Sequence, residues 1–135
     1  MGTLLTIGEA AKVSGLTAKM IRNYEQSGLI RKSPRTESGY RLYNSEQLNQ
    51  LMFIKRARNL GFSLSDIQSL LSLWQNPERE SRLVKQLAQS HLEQISTKIA
   101  ELEQMQQVLI KLADSCKGDT SPQCGILEQL AQSSI

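Results

Sequence analysis

The chain has 135 residues, with 16 Lys/Arg against 13 Asp/Glu for a formal net charge of +3, and only 4% of its residues are aromatic. That length suits about one domain with a modest core. The N-terminus, with Thr6, Glu9 and Lys12 close together, lacks the apolar core of a secretory signal, and no apolar run reaches the roughly 20 residues of a membrane span. A cytoplasmic, reducing location is therefore expected, with no membrane partner. There the two cysteines, Cys116 and Cys124, read as metal-binding or redox-active in preference to a structural disulfide. The composition, rich in Leu, Gln, Ala, Glu, Lys and Ile and without alternating β-branched runs, predicts an all-α fold. Residues 1–70 carry ten Lys/Arg and five Asp/Glu, a net +5, and residues 71–135 carry six and eight, a net −2; the sum is +3. The basic excess of the first half makes nucleic acid a partner for that half alone.

Thr6 with Glu9 three residues later has the spacing of a capping box, which predicts a short helix ending at Ser14-Gly15. Thr17 is a natural N-cap for a second helix over Ala18–Gln26, with Gly28 as its C′ residue. Two short helices joined by a glycine-bearing turn form a helix-turn-helix pattern, which serves DNA binding in some proteins and only packing in others. The stretch from Leu29 to Tyr43, with a Ser/Pro/Gly-containing turn, predicts a small hairpin or wing. Its Arg35, Tyr40, Arg41 and Tyr43 carry donors suited to phosphate oxygens, although Tyr43 packed on the helices is an equal reading. Asn44 or Ser45 then caps a helix to Asn59, and Ser63 caps another over Leu64–Trp74 that Asn76-Pro77 ends.

From about Glu78 to Ser115 there is no Pro or Gly, and Val84, Ala88, Leu92, Ile95, Ile99, Leu102, Met105, Leu109 and Leu112 step by three or four. The spacing predicts one helix of roughly 50 Å at 1.5 Å per residue. A stripe that long exceeds what so small a domain can cover, so a second copy is its natural partner in a coiled-coil homodimer. Cys116-Lys-Gly-Asp-Thr-Ser-Pro-Gln-Cys124 follows as a loop bounded by both thiols. Paired thiolates select soft cations; a disulfide or two small buried hydrophobes are the plainer alternatives. His91, the one histidine, falls mid-helix and far in sequence from the loop. A thiol enzyme is not expected: there is no Cys-x-x-Cys and no His or Asp arranged beside a nucleophile in sequence. The chain divides into a DNA-binding domain at 1–75, a dimerisation helix at 76–115, and a metal-binding loop and tail at 116–135.

Thr6-Ile7-Gly8-Glu9-Ala10-Ala11, Ile21-Arg22-Asn23-Tyr24-Glu25, Gly28-Leu29-Ile30, Ser38-Gly39-Tyr40-Arg41 and Ala57-Arg58-Asn59-Leu60-Gly61-Phe62-Ser63 resemble signature segments of the MerR family of transcriptional regulators. With the order of elements, the resemblance covers essentially the whole chain. It implies a winged helix-turn-helix followed by a long coiled-coil dimerisation helix, and a homodimer bound to double-stranded promoter DNA. By the same resemblance, the DNA-binding residues are Lys19, Arg22 and Tyr24 on the second helix, Arg35, Tyr40 and Arg41 on the wing, and Arg58 on the next helix. RNA polymerase is engaged indirectly, through DNA that the dimer bends and undertwists, a distortion of several kcal/mol. The Cys-x7-Cys loop is similar to that of the copper-efflux and gold-responsive branch, whose cytoplasmic members sense Cu(I), Ag(I) or Au(I). This implies one ion per loop, held by Cys116 and Cys124, and activation of metal-efflux genes. At Ser81 divalent-ion sensors of the family have a third cysteine. A hydroxyl there leaves two thiolates, suited to a linear monovalent ion and not to tetrahedral zinc, although a plain helix-start serine is the reading that physics alone gives Ser81. The alternative function is a thiol redox-sensing regulator of the same fold, with the two cysteines forming a reversible disulfide.

Overall fold

The computed structural model describes residues 4–32, 39 and 41–132. The chain divides into two compact units, Met1–Leu87 and Ala88–Ile135. In order, the elements are β1 (Leu5–Thr6), α1 (Ile7–Ser14), α2 (Ala18–Gln26), β2 (Leu42–Tyr43), α3 (Ser45–Asn59), α4 (Leu64–Gln75), α5 (Ser81–Asp114) and α6 (Gly125–Ala131). The fold is mostly helical, as the composition predicts. No described helix is long and apolar enough to cross a membrane.

The helix starts follow from their caps. Thr6 and Glu9 close the expected capping box, Thr17 Oγ1 accepts from the Met20 amide at 3.1 Å, and Ser63 Oγ accepts from the Asp66 amide at 3.1 Å. Asn44 and Gln47 form a second reciprocal box at the head of α3. Each of these caps satisfies an amide that would otherwise lack an intrahelical acceptor, at about 1 kcal/mol per cap. Gly15, at φ 78°, takes the left-handed conformation that turns the chain from α1 towards α2.

In the first unit, α1 packs on α2 and α3, and α3 on α4, around Ala10, Leu16, Ile21, Tyr24, Ile30, Tyr43, Leu51, Ile54, Ala57, Ile67 and Leu71. Phe53 stacks on Trp74 with ring centroids 4.6 Å apart and planes 9° from parallel, tying α3 to the end of α4. Two features differ from the sequence expectation. The strand that leaves the wing, β2, pairs antiparallel with β1 at the N-terminus, Leu5 opposite Tyr43 and Thr6 opposite Leu42; the turn of the expected hairpin, residues 33–38, lies outside the described residues. The segment after Cys124, read from the sequence as part of the loop and C-terminal tail, contains a helix, α6. Its Ile126, Leu127 and Leu130 lie one and four apart, an apolar grouping too short to stand out from the sequence.

Helix α5 runs 34 residues from Ser81, three residues later than the sequence suggests because Pro77 and the turn after it precede it. In the second unit Leu92, Ile95, Ile99, Leu102, Met105 and Leu109 are exposed, while Leu112 is buried.

Candidate metal and nucleic-acid sites

Helix α2 sorts its residues by phase. Ile21, Tyr24 and Glu25 face inward, and Lys19, Arg22 and Asn23 are exposed. Lys19 and Arg22 are three apart and so share a face. Arg58 of α3 comes to the same region: its Nη1 lies 3.4 Å from Met20 Sδ, and Met20, Asn23, Tyr24, Ser27, Arg58 and Leu64 line one shallow cavity. The three exposed cations thus belong to the α2 and α3 surface, where phosphate oxygens can be met without moving the core. Arg35 and Tyr40 lie outside the described residues.

Tyr24 and Arg41 sit differently from the phosphate-contact reading. Tyr24 is only 8% exposed. Burial pushes its phenol pKa up, against a smaller opposite pull from the Arg58 charge, so the hydroxyl remains a neutral donor at physiological pH. Arg41 is half-buried and pairs with Glu25, Nη1 to Oε2 at 3.7 Å. Tyr43, wholly buried, donates its hydroxyl to Glu25 Oε1. Glu25, itself 3% exposed, therefore joins α2 to the strand leaving the wing. The sequence reading missed this carboxylate. The available signal was its phase: Ile21, Tyr24 and Glu25 stand at i, i+3 and i+4, the spacing of an inward face. A buried carboxylate needs partners, and Arg41 and Tyr43 provide such contacts from 16 and 18 positions away.

The cysteine loop begins where α5 ends. The Ser115 amide is shared between the carbonyls of Lys111 (3.2 Å) and Leu112 (3.1 Å), Ser115 Oγ donates to Leu112 O at 2.6 Å, and the Cys116 amide donates to Ala113 O at 3.1 Å. Within the loop Asp119 Oδ1 accepts from the Ser121 amide at 2.9 Å, and Ser121 Oγ accepts from the Gln123 amide at 3.2 Å. These side-chain turns shape the return without a strand or helix. Cys124 then opens α6, its carbonyl accepting from the Glu128 amide at 3.1 Å.

Closure depends on Gly125. A Cβ there would lie 2.8 Å from Ser115 Cβ and 2.9 Å from Ser115 O, and would also strike Ser115 Oγ. Only glycine lets the two ends of the loop touch this closely. The consequence is that Cys116 and Cys124, both free and half-buried, hold their sulfurs 3.2 Å apart in S–H···S contact. The Leu127 amide holds the Cys124 pKa below that of an ordinary thiol, helped by the Cys116 thiol and the Ile126 amide, and opposed by partial desolvation and the Glu128 carboxylate. Its thiolate, the form that binds metal, is favoured.

The donor set fits a soft ion of low coordination number. Cys116 and Cys124 would hold such an ion, supplying two soft thiolate donors. Among the described residues no group of three or more His, Cys, Asp or Glu side chains is placed to hold an ion. Ser81 is the exposed first residue of α5.

Residues 5–74 match the family model described as MerR HTH family regulatory protein, and residues 48–112 match the one described as MerR, DNA binding. Heavy metal-dependent transcription regulator 2 of Rhizobium meliloti is 46% identical over 130 residues, 96% of this chain and 88% of that protein. The HTH-type transcriptional regulator CueR of Escherichia coli is 39% identical over 127 residues, 94% of each chain. Among solved structures, the transcription regulator PbrR691 from Ralstonia metallidurans, in complex with lead(II), superposes with a TM-score of 0.79 at 37% identity, covering 94% of this chain and 99% of that one. These relatives are transcription regulators, not enzymes. With half its length matched by the helix-turn-helix model and with such relatives along nearly all of it, the chain belongs to the MerR family of helix-turn-helix regulators.

Proposed function

We propose that this protein is a metal-responsive transcription regulator that binds promoter DNA as a homodimer and responds to Cu(I), Ag(I) or Au(I) through Cys116 and Cys124, activating metal-efflux genes. The observation that carries the reading is the pair of free sulfurs 3.2 Å apart with no third ligand group among the described residues. Two thiolates satisfy a linear d¹⁰ monovalent ion, whereas zinc takes about four ligands. The names of heavy metal-dependent relatives support metal sensing in general. Since one neighbour is bound to lead(II), it is the donor set of this chain that argues for the monovalent class.

In this reading residues 1–75 bind DNA, 76–115 dimerise and 116–135 sense. Lys19, Arg22 and Arg58, with Arg35 and Tyr40 of the wing, meet phosphates. Arg41 and Tyr24 act from within, by fixing the wing strand and α2 in register. Cys116 and Cys124 would hold the metal, which would then tie the two ends of the loop together. The chain's own part is to favour Cys124 as thiolate and, with no side chain at Gly125, to let Cys116 approach it. RNA polymerase responds to the distorted promoter, so the energy that metal binding contributes must appear as a difference between two shapes of the dimer. Ser81 keeps a third thiolate from the site.

The test is titration of the reduced protein with Cu(I), Ag(I), Au(I) and Zn²⁺ against a competing chelator, alongside run-off transcription. One monovalent ion per loop, with Cys116→Ser and Cys124→Ser each losing metal-dependent transcription while retaining operator affinity, is the expected result. Full metal-dependent activation by either variant refutes the two-thiolate site.

A further inference from the structure

Cys116 and Cys124 hold their sulfurs 3.2 Å apart, inside the ordinary van der Waals contact of two sulfur atoms. A disulfide needs the sulfurs to close by about 1.1 Å, to 2.05 Å. Both thiols are free and partly open to solvent, the loop between them spans only seven residues, and its turns at Asp119 and Ser121 already bring the ends together. The absence of a side chain at Gly125 leaves room for this close approach to Ser115.

We infer that Cys116 and Cys124 are a modification site for peroxide-class oxidants, forming a reversible intramolecular disulfide that withdraws both thiolates from metal. The exclusion of metal rests on the function proposed above; the disulfide itself does not. In the first step one thiol sulfur attacks hydrogen peroxide: an S–O bond forms, the O–O bond breaks, and water leaves with the thiol proton, giving a sulfenic acid. In the second step the other sulfur attacks the sulfenic sulfur: the S–S bond forms, the S–O bond breaks, and hydroxide leaves as water with the second thiol's proton. Two thiols and one peroxide give one disulfide and two waters, the sulfurs losing the two electrons that the peroxide gains. A dithiol reductant reverses the change by exchange. The regulator then responds to metal only while the loop is reduced.

The test uses the full-length reduced protein and equimolar hydrogen peroxide. Intact mass should fall by two hydrogens per chain, proteolysis should give a cross-link joining Cys116 and Cys124 of one chain, and Cu(I) affinity by chelator competition should fall about a hundredfold or more. Dithiothreitol should restore it, with operator affinity constant throughout. Gly125→Ala should slow internal closure about tenfold by parting the sulfurs, and Cys116→Ser should stop at a sulfenic acid trapped by dimedone on Cys124. Accumulation of sulfinic acid, cross-links only between chains, or two thiols that remain alkylatable would overturn the modification. An oxidised loop that still holds Cu(I) would overturn the exclusion. Disulfide formation in a chain whose reduced form holds no Cu(I) would instead refute the metal reading and leave the modification standing.

Discussion

Replacing Tyr43 with Phe removes one oxygen from the interior and leaves its ring in place. The hydroxyl donates to Glu25, and neither residue has solvent to turn to: Tyr43 is fully buried and Glu25 is 3% exposed. A hydrogen bond to a charged group contributes about 1.5–3 kcal/mol, and a buried carboxylate that loses a donor keeps its desolvation cost. The Arg41 contact, at 3.7 Å, is too long to compensate fully. Tyr43→Phe should therefore destabilise the DNA-binding unit by about 2 kcal/mol, or about 0.5 M in guanidinium midpoint. In a Glu25→Gln background the same change removes only a neutral hydrogen bond of about 1 kcal/mol, so the double-mutant cycle should show a coupling of about 1 kcal/mol. Guanidinium unfolding at fixed protein concentration, followed by far-ultraviolet circular dichroism, reads both numbers. A Tyr43→Phe protein within about 0.5 kcal/mol of wild type, or strictly additive variants, would refute the assignment of Glu25 as the joint between α2 and the wing strand.

Arg22→Ala and Arg58→Ala should each weaken binding to specific and random duplexes alike and lower the slope of log affinity against log salt by about one, measured by fluorescence anisotropy; an unchanged slope removes that residue from the interface. Ser81→Cys should add a thiolate at the start of α5 and extend the response towards divalent ions, checked by promoter assays with Zn²⁺, Hg²⁺ and Cu(I), and no new divalent response would mean that Ser81 does not set selectivity. Cys124 should alkylate with iodoacetamide at lower pH than an ordinary thiol, because its folded pKa is depressed: the thiolate is the dominant form above that depressed pKa and is lost as pH falls through it. Leu127→Pro, which deletes the principal N–H stabilising that thiolate, should move the labelling profile to higher pH, and a profile unmoved by the change would assign the depression elsewhere.

What was legible in the sequence was local. Thr6 with Glu9, Thr17, Asn44 and Ser63 announce helix starts because each cap bonds an amide three residues away, within one reading window. The stripe of α5 is legible for the same reason, since its period repeats without interruption. The pairing of β1 with β2 was not, because strands of two residues carry no usable alternation and their partners lie 36 to 38 positions apart. Glu25 and Gly125 escaped for a related cause. Each is explained by an atom brought to it by folding, the Tyr43 hydroxyl in one case and Ser115 in the other, and neither contact leaves a spacing rule behind. The two thiols were legible as a pair, but not the closeness of their sulfurs.

The passage from α4 to α5 has a mechanical consequence. Arg79 donates from one guanidinium nitrogen to the carbonyls of both Trp74 and Asn76, each at 3.2 Å, while Asn76 Oδ1 takes the Glu78 amide at 2.9 Å. No glycine interrupts residues 75–81, and Pro77 fixes one dihedral among them. These bonds and the fixed proline dihedral tie the start of α5 to the end of α4, whose Trp74 ring stacks on Phe53 of α3. Arg79→Ala, which removes two of these bonds, should lower metal-dependent transcription in a run-off assay while operator affinity and metal affinity stay unchanged.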